Sequence, residues 1–529
     1  MVRGRNPIPR RPESGRRVGR SVLGALVAAI VALPGLAAAQ SLRVTPTFDT
    51  ELTWTDNVDA EPNGRDDFIL ELTPGISVTR SGGRMTGSLS ARLRNLLYAN
   101  DSDANTSFVS LNGSGTYEAI EDLLFIDASA GISRSNLSAF SGRGPGDTFS
   151  VNSNNETRTW SITPRLESDL RFGEAGRGSI RYSSRGFSSS SGGLGNQRAD
   201  TWDLSLSDPG GFRFLGWGID YSRTDLDGGG RANSVQTEQT LRGTLFANIS
   251  SQFRLRGIVG RESNDYEDGV KTSSDIVPVD AAADGVKTSS DIVGGGIDWY
   301  PTDRTAISAT VEDRFFGRGY DLSFNHRMSR SVWFLSASRD TSSLARDLGP
   351  AIVFDQGCFE LVSDPAYRPE ITDPVLREQL LLDCLSLTLL RTNAAYVDRS
   401  LSGGFSLLGV RNTLSFSVTR SDRSSLSGLS GLLPDDDFLT SDRVRTTSAT
   451  VSWSHSLTGT SSLVASLTRS RSEALDDATL DTRRLTGTIG LSRTLGPRTQ
   501  GGLRYRYQKA EGTNAYTENA VTATVGMRF

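Results

Sequence analysis

The chain has 529 residues, of which 57 are Lys or Arg and 61 are Asp or Glu. Seven of the basic residues and one of the acidic residues precede Gln40, so a chain starting there would carry 57 − 7 = 50 basic and 61 − 1 = 60 acidic residues. A net charge near −10 argues against nucleic acid as a partner. The 55 glycines, with abundant Ser and Thr, favour strands and tight turns over helices.

The first 39 residues have the pattern of an export signal. Arginines precede an apolar run at 22–36, and Ala37-Ala38-Ala39 provides a small-residue cleavage site before Gln40. A membrane anchor is the weaker alternative, because the run is short, is interrupted by Pro and Gly, and is not followed by a charged stop signal. We therefore predict a signal peptide at 1–39 and a mature domain at 40–529.

From Leu42 onwards, segments of alternating polarity are separated by connections that are alternately short and long, which is the pattern of an outer-membrane β-barrel. The predicted short periplasmic turns are 81–83, 120–122, 173–176, 208–211, 249–251, 301–303, 328–330, 409–411, 458–460 and 496–498. The predicted outer connections are 55–66, 99–105, 137–154, 187–199, 226–233, 266–287, 317–319, 342–394, 421–440, 471–480 and 509–515.

Ten turns and eleven outer connections predict an all-β, antiparallel up-and-down barrel of 22 strands, with 18 to 24 left open and both termini in the periplasm. The alternative is a soluble all-β array such as a secreted solenoid. A solenoid requires a constant repeat period, and we find none. The predicted location is the outer membrane of a Gram-negative bacterium, with the domain integral to it.

Charged residues alternate with apolar ones in several predicted strands. From Met85 to Leu93 the odd positions are apolar or Gly, whereas the even positions are polar or Arg. A charged residue facing lipid at mid-depth costs roughly 2 to 4 kcal/mol, so we expect the arginines to face the lumen. The predicted lumen-facing residues are Arg84, Arg92, Arg94, Arg504 and Arg506.

The last predicted strand ends on an aromatic residue. Apolar side chains recur at every second position from Val521 to Phe529, which gives the strand one apolar face. Such a closing strand is similar to those read by the barrel-assembly machinery of the outer membrane. We predict Val525, Met527 and Phe529 as the assembly signal, with the strand at 42–54 as the seam partner.

Two predicted outer loops are unusual. Residues 268–277 recur identically at 284–293, which we interpret as a tandem duplication tolerated because it lengthens an exposed loop. The loop at 342–394 is the longest and carries Cys358 and Cys384, which we expect to form a disulfide in an exported protein. Between the cysteines, residues 373–383 have the pattern of a short helix, so this loop is a candidate to obstruct the lumen.

Several stretches together resemble the outer-membrane β-barrel proteins associated with the PEP-CTERM/exosortase sorting system of exopolysaccharide-producing Gram-negative bacteria. The stretches are WTDNV at 54–58, LTPGIS at 72–77, YAND at 98–101, EDLLFIDA at 121–128, WSITP at 160–164, LGWGIDYSR at 215–223, and the segment that begins with FFGRGY at 315–320 and continues to Trp333. They cover most of the mature chain up to about residue 340 and continue more weakly to Phe529. The duplicated loop and the cysteine-bearing loop depart from the pattern.

The resemblance implies a barrel that works beside envelope-polysaccharide synthesis and export. On that basis we predict a conduit or scaffold for polysaccharide export. The alternative is a non-conducting adhesion or assembly protein that presents its outer loops. The expected partners are outer-membrane lipid and lipopolysaccharide, the barrel-assembly machinery and polysaccharide-export components.

No catalytic motif is present, so we predict no catalytic, cofactor-binding or metal-binding residues and no enzyme activity. The two histidines, His326 and His455, each share a strand face with apolar residues, and an interfacial role is favoured over catalysis. The acidic run at 435–437 could bind a divalent ion, although a solvated acidic loop is the preferred interpretation. A siderophore receptor would need a plug domain before the barrel, and the first predicted strand begins almost at the cleavage site.

Overall fold

The computed structural model divides the chain into two units, Met1–Ser41 and Leu42–Phe529, and the second unit forms a β-barrel. The described residues are 41–134, 138–142, 156–168, 177–189, 196–208, 214–227, 235–266, 286–347, 390–426, 436–439, 441–477, 480–512 and 514–529. The predicted signal peptide at 1–39 lies outside them.

Twenty-two strands make up the sheet. The first eleven are β1 (Ser41–Thr55), β2 (Asp67–Ser81), β3 (Met85–Tyr98), β4 (Thr106–Ile120), β5 (Leu124–Arg134), β6 (Glu156–Ser168), β7 (Arg177–Ser189), β8 (Asn196–Asp208), β9 (Leu215–Asp227), β10 (Val235–Asn248) and β11 (Phe253–Tyr266). The other eleven are β12 (Val286–Thr302), β13 (Thr305–Arg314), β14 (Gly317–Arg327), β15 (Ser331–Ser342), β16 (Tyr396–Leu408), β17 (Asn412–Ser425), β18 (Arg443–Thr458), β19 (Ser461–Ala474), β20 (Asp481–Gly496), β21 (Thr499–Gly512) and β22 (Tyr516–Arg528).

The parts of the chain that the structure describes contain two short helical segments, a 3-10 turn at Ser102–Ala104 and the helix α1 at Leu344–Asp347. Among the described residues, no helix is long and apolar enough to cross a membrane.

Each strand pairs with its neighbours in sequence, and the barrel closes where β1 pairs antiparallel with β22. The seam register runs from Thr47 opposite Arg528 to Thr55 opposite Ala520. At one end of the seam the Phe529 backbone N–H donates to the Pro46 carbonyl at 2.9 Å. The predicted 22-stranded antiparallel barrel is therefore confirmed, and the predicted seam pair is the observed one.

The two faces of the strands differ as their alternation predicts. In β1, Leu42, Phe48 and Leu52 are exposed on the outer face, whereas Glu51 and Thr53 face inward and are buried. Equivalent outward apolar side chains occur around the ring, and this apolar outer surface can contact only lipid without a large free-energy cost. The end with the short turns, where β1 begins and β22 ends, is the periplasmic end.

Aromatic side chains gather on the outer face near the periplasmic end. The rings of Trp333 and Phe405 are 4.9 Å apart, and those of Phe405 and Phe416 are 5.7 Å apart. Trp453 lies on the same face at the end of β18. Such a belt marks a membrane–water interface, because aromatic rings favour the headgroup level. A closed barrel with an apolar band and an aromatic girdle is an integral outer-membrane protein of a Gram-negative bacterium.

The second copy of the duplicated sequence does not lie wholly in a loop. Residues 286–293 form the first half of β12 and pair with Val259 to Tyr266 of β11. Pairing satisfies the backbone polar groups of this stretch, of which only 286–287 fall within the predicted outer connection at 266–287. The interpretation that both copies lengthen an exposed loop is therefore wrong for 286–293, while the first copy, 268–277, lies outside the described residues.

The predicted tight connection at 317–319 lies at 315–316 instead. Gly317 is already the first residue of β14, with a φ of 96° that a residue with a side chain rarely adopts. The two preceding aromatics form the connection, and Phe316 is only 2% exposed because it is folded inward. Because this connection consists of two aromatic residues and not of polar turn residues, the sequence pattern did not indicate the boundary between β13 and β14.

We expect an extension of six Gly or Ser residues after Phe529 to lower the folded, membrane-inserted fraction several-fold. Phe529 lies beside the seam, and Val525, Met527 and Phe529 are the predicted assembly signal. The measurement is the heat-modifiable folded band of outer-membrane fractions on gels. The control carries the same insert after Val410, which is 91% exposed in a periplasmic turn. Equal folded amounts in the two variants would contradict the assignment.

Candidate functional site

Three outer loops fold into the mouth of the barrel and meet there. We call the described parts of these loops the latch. They are residues 138–142 between β5 and β6, residues 343–347 and 390–395 between β15 and β16, and residues 436–439 between β17 and β18. These segments are buried against the inward faces of strands at the outer end of the barrel.

The latch has an apolar core. Phe140, Leu390 and Phe438, one from each loop, belong to a single buried cluster. The wall contributes the inward side chains of three strands to the same cluster, namely Tyr396, Val444 and Ala474. Leu390 and Phe438 are at most 1% exposed, so removing their side chains from water contributes several kcal/mol to closure. Burial of this kind holds the three loops against one side of the lumen.

A buried carboxylate, that of Asp437, joins all three loops. Its Oδ1 accepts a hydrogen bond from Ser138 Oγ at 2.6 Å. Its Oδ2 accepts bonds from the backbone N–H groups of Ala139 at 2.9 Å and Arg391 at 2.8 Å. The side chain is only 6% exposed. Since hydrogen bonds to an ionised acceptor are the stronger kind, Asp437 is the polar centre of the latch.

The neighbouring carboxylate, Asp436, holds its own loop and joins it to the loop between β15 and β16. Its Oδ1 accepts from the Phe438 backbone N–H at 2.9 Å, and its Oδ2 accepts from the Asn393 backbone N–H at 3.1 Å. The residue is 5% exposed. Asp436 and Asp437 are thus buried acceptors, and the preferred interpretation of 435–437 as a solvated acidic loop is wrong at these two positions.

The latch reaches the opposite wall. Gln197 on the inward face of β8 donates to the Thr392 carbonyl at 3.2 Å. Arg346 in α1 forms an ion pair with Glu238 of β10 at 2.6 Å. Because these strands lie across the ring from β16, β18 and β19, residues 343–347 and 390–395 span the lumen. The chain ends of the predicted obstructing loop therefore cross the mouth of the barrel.

A second set of contacts ties the loop after β5 to the strands beside the seam. The Phe140 carbonyl accepts hydrogen bonds from Thr482 Oγ1 at 3.2 Å and Asn514 Nδ2 at 3.3 Å. A Cβ added at Gly142 would lie 2.5 Å from the Asn514 carbonyl oxygen, so only glycine allows this close approach. The loop thereby crosses from β5 to β20 and to the connection before β22.

Burial dominates the electrostatics of the two aspartates. Desolvation raises the pKa of Asp436 to about 6, against the opposing effect of its backbone hydrogen bonds. Desolvation also raises the pKa of Asp437, and the hydroxyl of Ser138 and two backbone N–H groups oppose it. The closed latch therefore binds protons more tightly than an opened latch whose aspartates are hydrated.

A charged pair supports the mouth beside the latch. Glu262, fully buried, accepts from Arg314 Nε at 2.7 Å and from the Phe315 backbone N–H at 2.6 Å. Phe316 packs with Ala395 in an apolar cluster that continues the closure. Sequence reasoning missed these residues. Arg314 and Glu262 are 52 residues apart in sequence, on β13 and β11, so their pairing leaves no local sequence pattern.

The structure places four of the five predicted lumen arginines on the inward face. Arg94 is buried and forms a bidentate pair with Glu71, at 2.5 and 2.7 Å. Arg504 pairs with Glu51 at 3.4 Å and Arg506 pairs with Glu518 at 2.8 Å, so both flank the seam. Arg92 lies on the same face of β3, opposite Ser110 and Gly75.

The fifth arginine, Arg84, lies in the periplasmic turn before β3 rather than on the wall of the lumen. It is exposed and reaches Glu121 of the next turn at 3.5 Å. The alternation that places Arg92 and Arg94 inward stops where the strand ends, and Met85 is the first residue of β3.

Both histidines lie on the lipid-facing side near the periplasmic end. His326 Nδ1 is 2.8 Å from Thr305 Oγ1, and its ring stacks with Phe324. His455 Nδ1 is 2.7 Å from Asn412 Oδ1, and its ring stacks with Trp453. Neutral partners and aromatic neighbours fit an interfacial role.

Cys358, Cys384 and the predicted helix at 373–383 lie outside the described residues. Among the residues that the structure covers, no group of three or more His, Cys, Asp or Glu side chains could hold a metal ion. Val525, Met527 and Phe529 are exposed on the outer face of β22 and beyond it. Their role in assembly stays a prediction.

The fold and the mouth define an integral outer-membrane barrel whose outer loops cross its lumen. No family model matches the chain, and no curated protein matches it. Solved structures of similar architecture include the siderophore receptor PirA from Pseudomonas aeruginosa, with a TM-score of 0.44, 10% identity and coverage of 93% of this chain and 81% of that one. Another is the FrpB iron transporter from Neisseria meningitidis (F5-1 variant), with a TM-score of 0.48, 10% identity and coverage of 94% and 82%. At these scores the likeness assigns no substrate to this chain.

We expect Asp437→Asn to loosen the latch and raise single-channel conductance or open probability in planar bilayers. An amide offers one acceptor oxygen in place of two, so at least one buried donor loses its partner at a cost of about 1 to 3 kcal/mol. The control is Asp303→Asn, a matched change at an exposed position in a periplasmic turn. Identical traces for wild type and Asp437→Asn would show that the latch does not limit conduction.

The raised pKa values predict a pH-dependent latch. A carboxyl group with a pKa of about 6 when closed and an ordinary value near 3.8 when hydrated contributes fully to closure below pH 3.8. That contribution is lost as the pH rises through 6. We therefore expect lower conductance at pH 4.5 than at pH 7.5, with a flatter profile in Asp436→Asn. A wild-type profile that rises on acidification would contradict the prediction.

Proposed function

We propose that this protein is a gated outer-membrane conduit for an envelope polysaccharide. The observation that carries the proposal is a neutral wall of hydroxyl groups inside the barrel. On β18 and β19 every inward-facing residue is Ser, Thr, Val or Ala. We call the inward Ser and Thr residues of β15–β19 the hydroxyl wall.

Hydroxyl groups in this wall pair across neighbouring strands. Representative distances are 2.7 Å for Ser336 and Ser402, 2.8 Å for Ser406 and Ser415, and 3.2 Å for Thr450 and Thr468. A hydroxyl is both donor and acceptor, so such a surface can exchange hydrogen bonds with the hydroxyls of a sugar chain without a fixed charge. A neutral wall also exerts no long-range field that would retain or repel a polysaccharide.

Charges elsewhere in the lumen are largely held in pairs. Arg165 pairs with Asp127 at 2.6 Å, Arg242 with Glu312 at 3.1 Å and Arg256 with Asp298 at 3.1 Å. Mutual compensation weakens the net field across the lumen, which is unlike a pore selective for small anions or cations.

The latch supplies the gate in this proposal. A 22-stranded barrel is too wide for its wall side chains alone to fill, so an intact cell needs the lumen obstructed. The resemblance of the sequence to barrels of the PEP-CTERM system supports polysaccharide as the cargo. Components of polysaccharide export and the barrel-assembly machinery are the proposed protein partners.

The second candidate is a non-conducting adhesion or assembly protein. Its support is the same latch, because loops held by buried contacts across the mouth form a fixed outer surface suited to contact with a partner. Cells that lack the protein separate the two functions. Loss of surface polysaccharide with trapped precursor supports export, whereas normal secretion with altered attachment supports the second function.

A matched pair of variants tests the conduit. We expect Ser336→Trp with Ser402→Trp to narrow the lumen beside the hydroxyl wall, since these paired residues face inward. The control is Ala337→Trp with Leu401→Trp, the adjacent pair on the same two strands, which faces lipid. The measurement is the ratio of surface to periplasmic polysaccharide in complemented cells. A fall of several-fold in the inward variant alone supports transport, and equal ratios in folded variants refute it.

A further inference from the structure

A cation-rich patch covers the outward face of β16–β20 near their outer ends. We call it the arginine collar. Its members are Arg399, Arg420, Arg445, Arg469, Arg471 and Arg483. The strand register places them on one face in adjoining rows. One row reads Arg399, Asp422, Arg445, Glu473 and Asp481 across β16 to β20.

The collar lies directly above the apolar band. Leu401 neighbours Arg420 across β16 and β17, and Leu467 lies two residues before Arg469 on the same face of β19. These leucines are 46% and 52% exposed, as expected of side chains that contact lipid chains. The collar therefore begins where the hydrocarbon ends, at the headgroup level of the outer leaflet.

The charges of the collar are not balanced by the protein. The carboxylates in the same rows of β16–β20 are Asp422, Glu473 and Asp481, so the six collar arginines exceed them by 6 − 3 = 3. Glu511 of β21 lies opposite Arg483, but it is paired with Lys509 at 2.6 Å. These carboxylates are shared. Asp422 contacts Arg420 at 3.3 Å and Arg445 at 2.5 Å. Asp481 contacts Arg471 at 3.0 Å and Arg483 at 2.8 Å.

Arg469 differs from the next collar arginine on β19 because it has no ion-pair partner in the described part of the chain. It is exposed, and among the described residues no carboxylate lies within ion-pair distance of it. A guanidinium at the edge of the hydrocarbon is costly unless an anion or water compensates it. Its direct neighbours across the strands, Ala449 and Leu485, are uncharged. Glu511 of β21 attracts Arg469 only from beyond ion-pair distance, and it is already paired with Lys509 at 2.6 Å.

The opposite side of the barrel provides a contrast. Arg158, Arg198 and Arg223 also lie on outward faces near the outer ends of β6, β8 and β9. Each has its own carboxylate two residues away on the same strand, with distances of 2.6, 2.9 and 3.0 Å. Three arginines with three carboxylates leave no surplus there, so the excess of positive charge is a property of the collar.

We propose that the arginine collar binds the phosphate groups of an anionic lipid headgroup in the outer leaflet. Guanidinium groups bind phosphate oxygens in bidentate geometry. Adjacent strands are about 4.8 Å apart and alternate residues on one strand about 7 Å apart, so two rows of arginines suit a headgroup with two phosphates. The acyl chains of the same lipid would lie against the apolar band below.

The test measures lipid retained by the folded full-length protein in native mass spectrometry. The probes are diphosphoryl lipid A, the same lipid after phosphatase treatment, and inorganic pyrophosphate. The test variant is Arg420→Gln, Arg469→Gln and Arg471→Gln together. The matched control is Arg158→Gln, Arg198→Gln and Arg223→Gln together. Folding of each variant is checked by heat-modifiability on gels.

We expect wild type and control to retain diphosphoryl lipid A. The test variant should retain roughly tenfold less of it, because several charge-assisted contacts are lost. If the triple variant does not fold, Arg469→Gln against Arg198→Gln replaces the pair, with a severalfold loss expected only for Arg469→Gln. Equal losses in test and control variants would overturn the proposal. So would equal retention of the dephosphorylated lipid, or binding of pyrophosphate in preference to the lipid.

Discussion

The requirement that every backbone N–H and C=O group be hydrogen-bonded within the hydrocarbon governs this structure. A sheet in lipid can meet it only by closing on itself, because an open edge would leave a row of unpaired groups. The β1–β22 seam meets it here, and the chain reinforces it with side chains. Thr53 and Thr522 lie 3.0 Å apart, and Thr55 donates to Glu518 at 2.8 Å. The seam joins the first and last strands and closes the ring.

Closure has a consequence for the lumen. A wide, water-facing interior needs polar residues on half of all strand positions, and this chain uses two different solutions. Charged residues occur as Arg–carboxylate pairs, which keep their charges compensated at close range. The strands β15–β19 instead use mainly small hydroxyl residues that bond to one another, with charged residues such as Asp398 and Arg423 at their outer ends. The interior is consequently divided into a charged side and a largely neutral side, and the latch is packed against the outer end of the largely neutral side.

The latch follows the same physical rule in a different place. Loops that leave water for the barrel mouth must satisfy their own backbone groups, and Asp436 and Asp437 do so by accepting several N–H groups. The cost of burying two carboxylates is offset by these bonds and by the apolar cluster around Phe438. Burial also couples the closure of the mouth to proton uptake. On the outer surface, by contrast, charge is left uncompensated, because the arginines of the collar outnumber the carboxylates beside them.

Sequence alternation determined the barrel, its 22 strands, the positions of most turns and the inward direction of Arg94, Arg504 and Arg506. Those features depend on local periodicity and turn chemistry. The arginines must face the lumen, because a charged side chain that faces lipid has a high free-energy cost. Tertiary structure decided the rest. The burial of Asp437 depends on residues some 300 positions away, Ser138 among them, and the inward Phe316 and the strand role of 286–293 depend on partners outside their own segments. The arginine collar likewise exists only because the register places residues of five strands side by side. Contacts between distant segments leave no local pattern, so only the folded chain could reveal them.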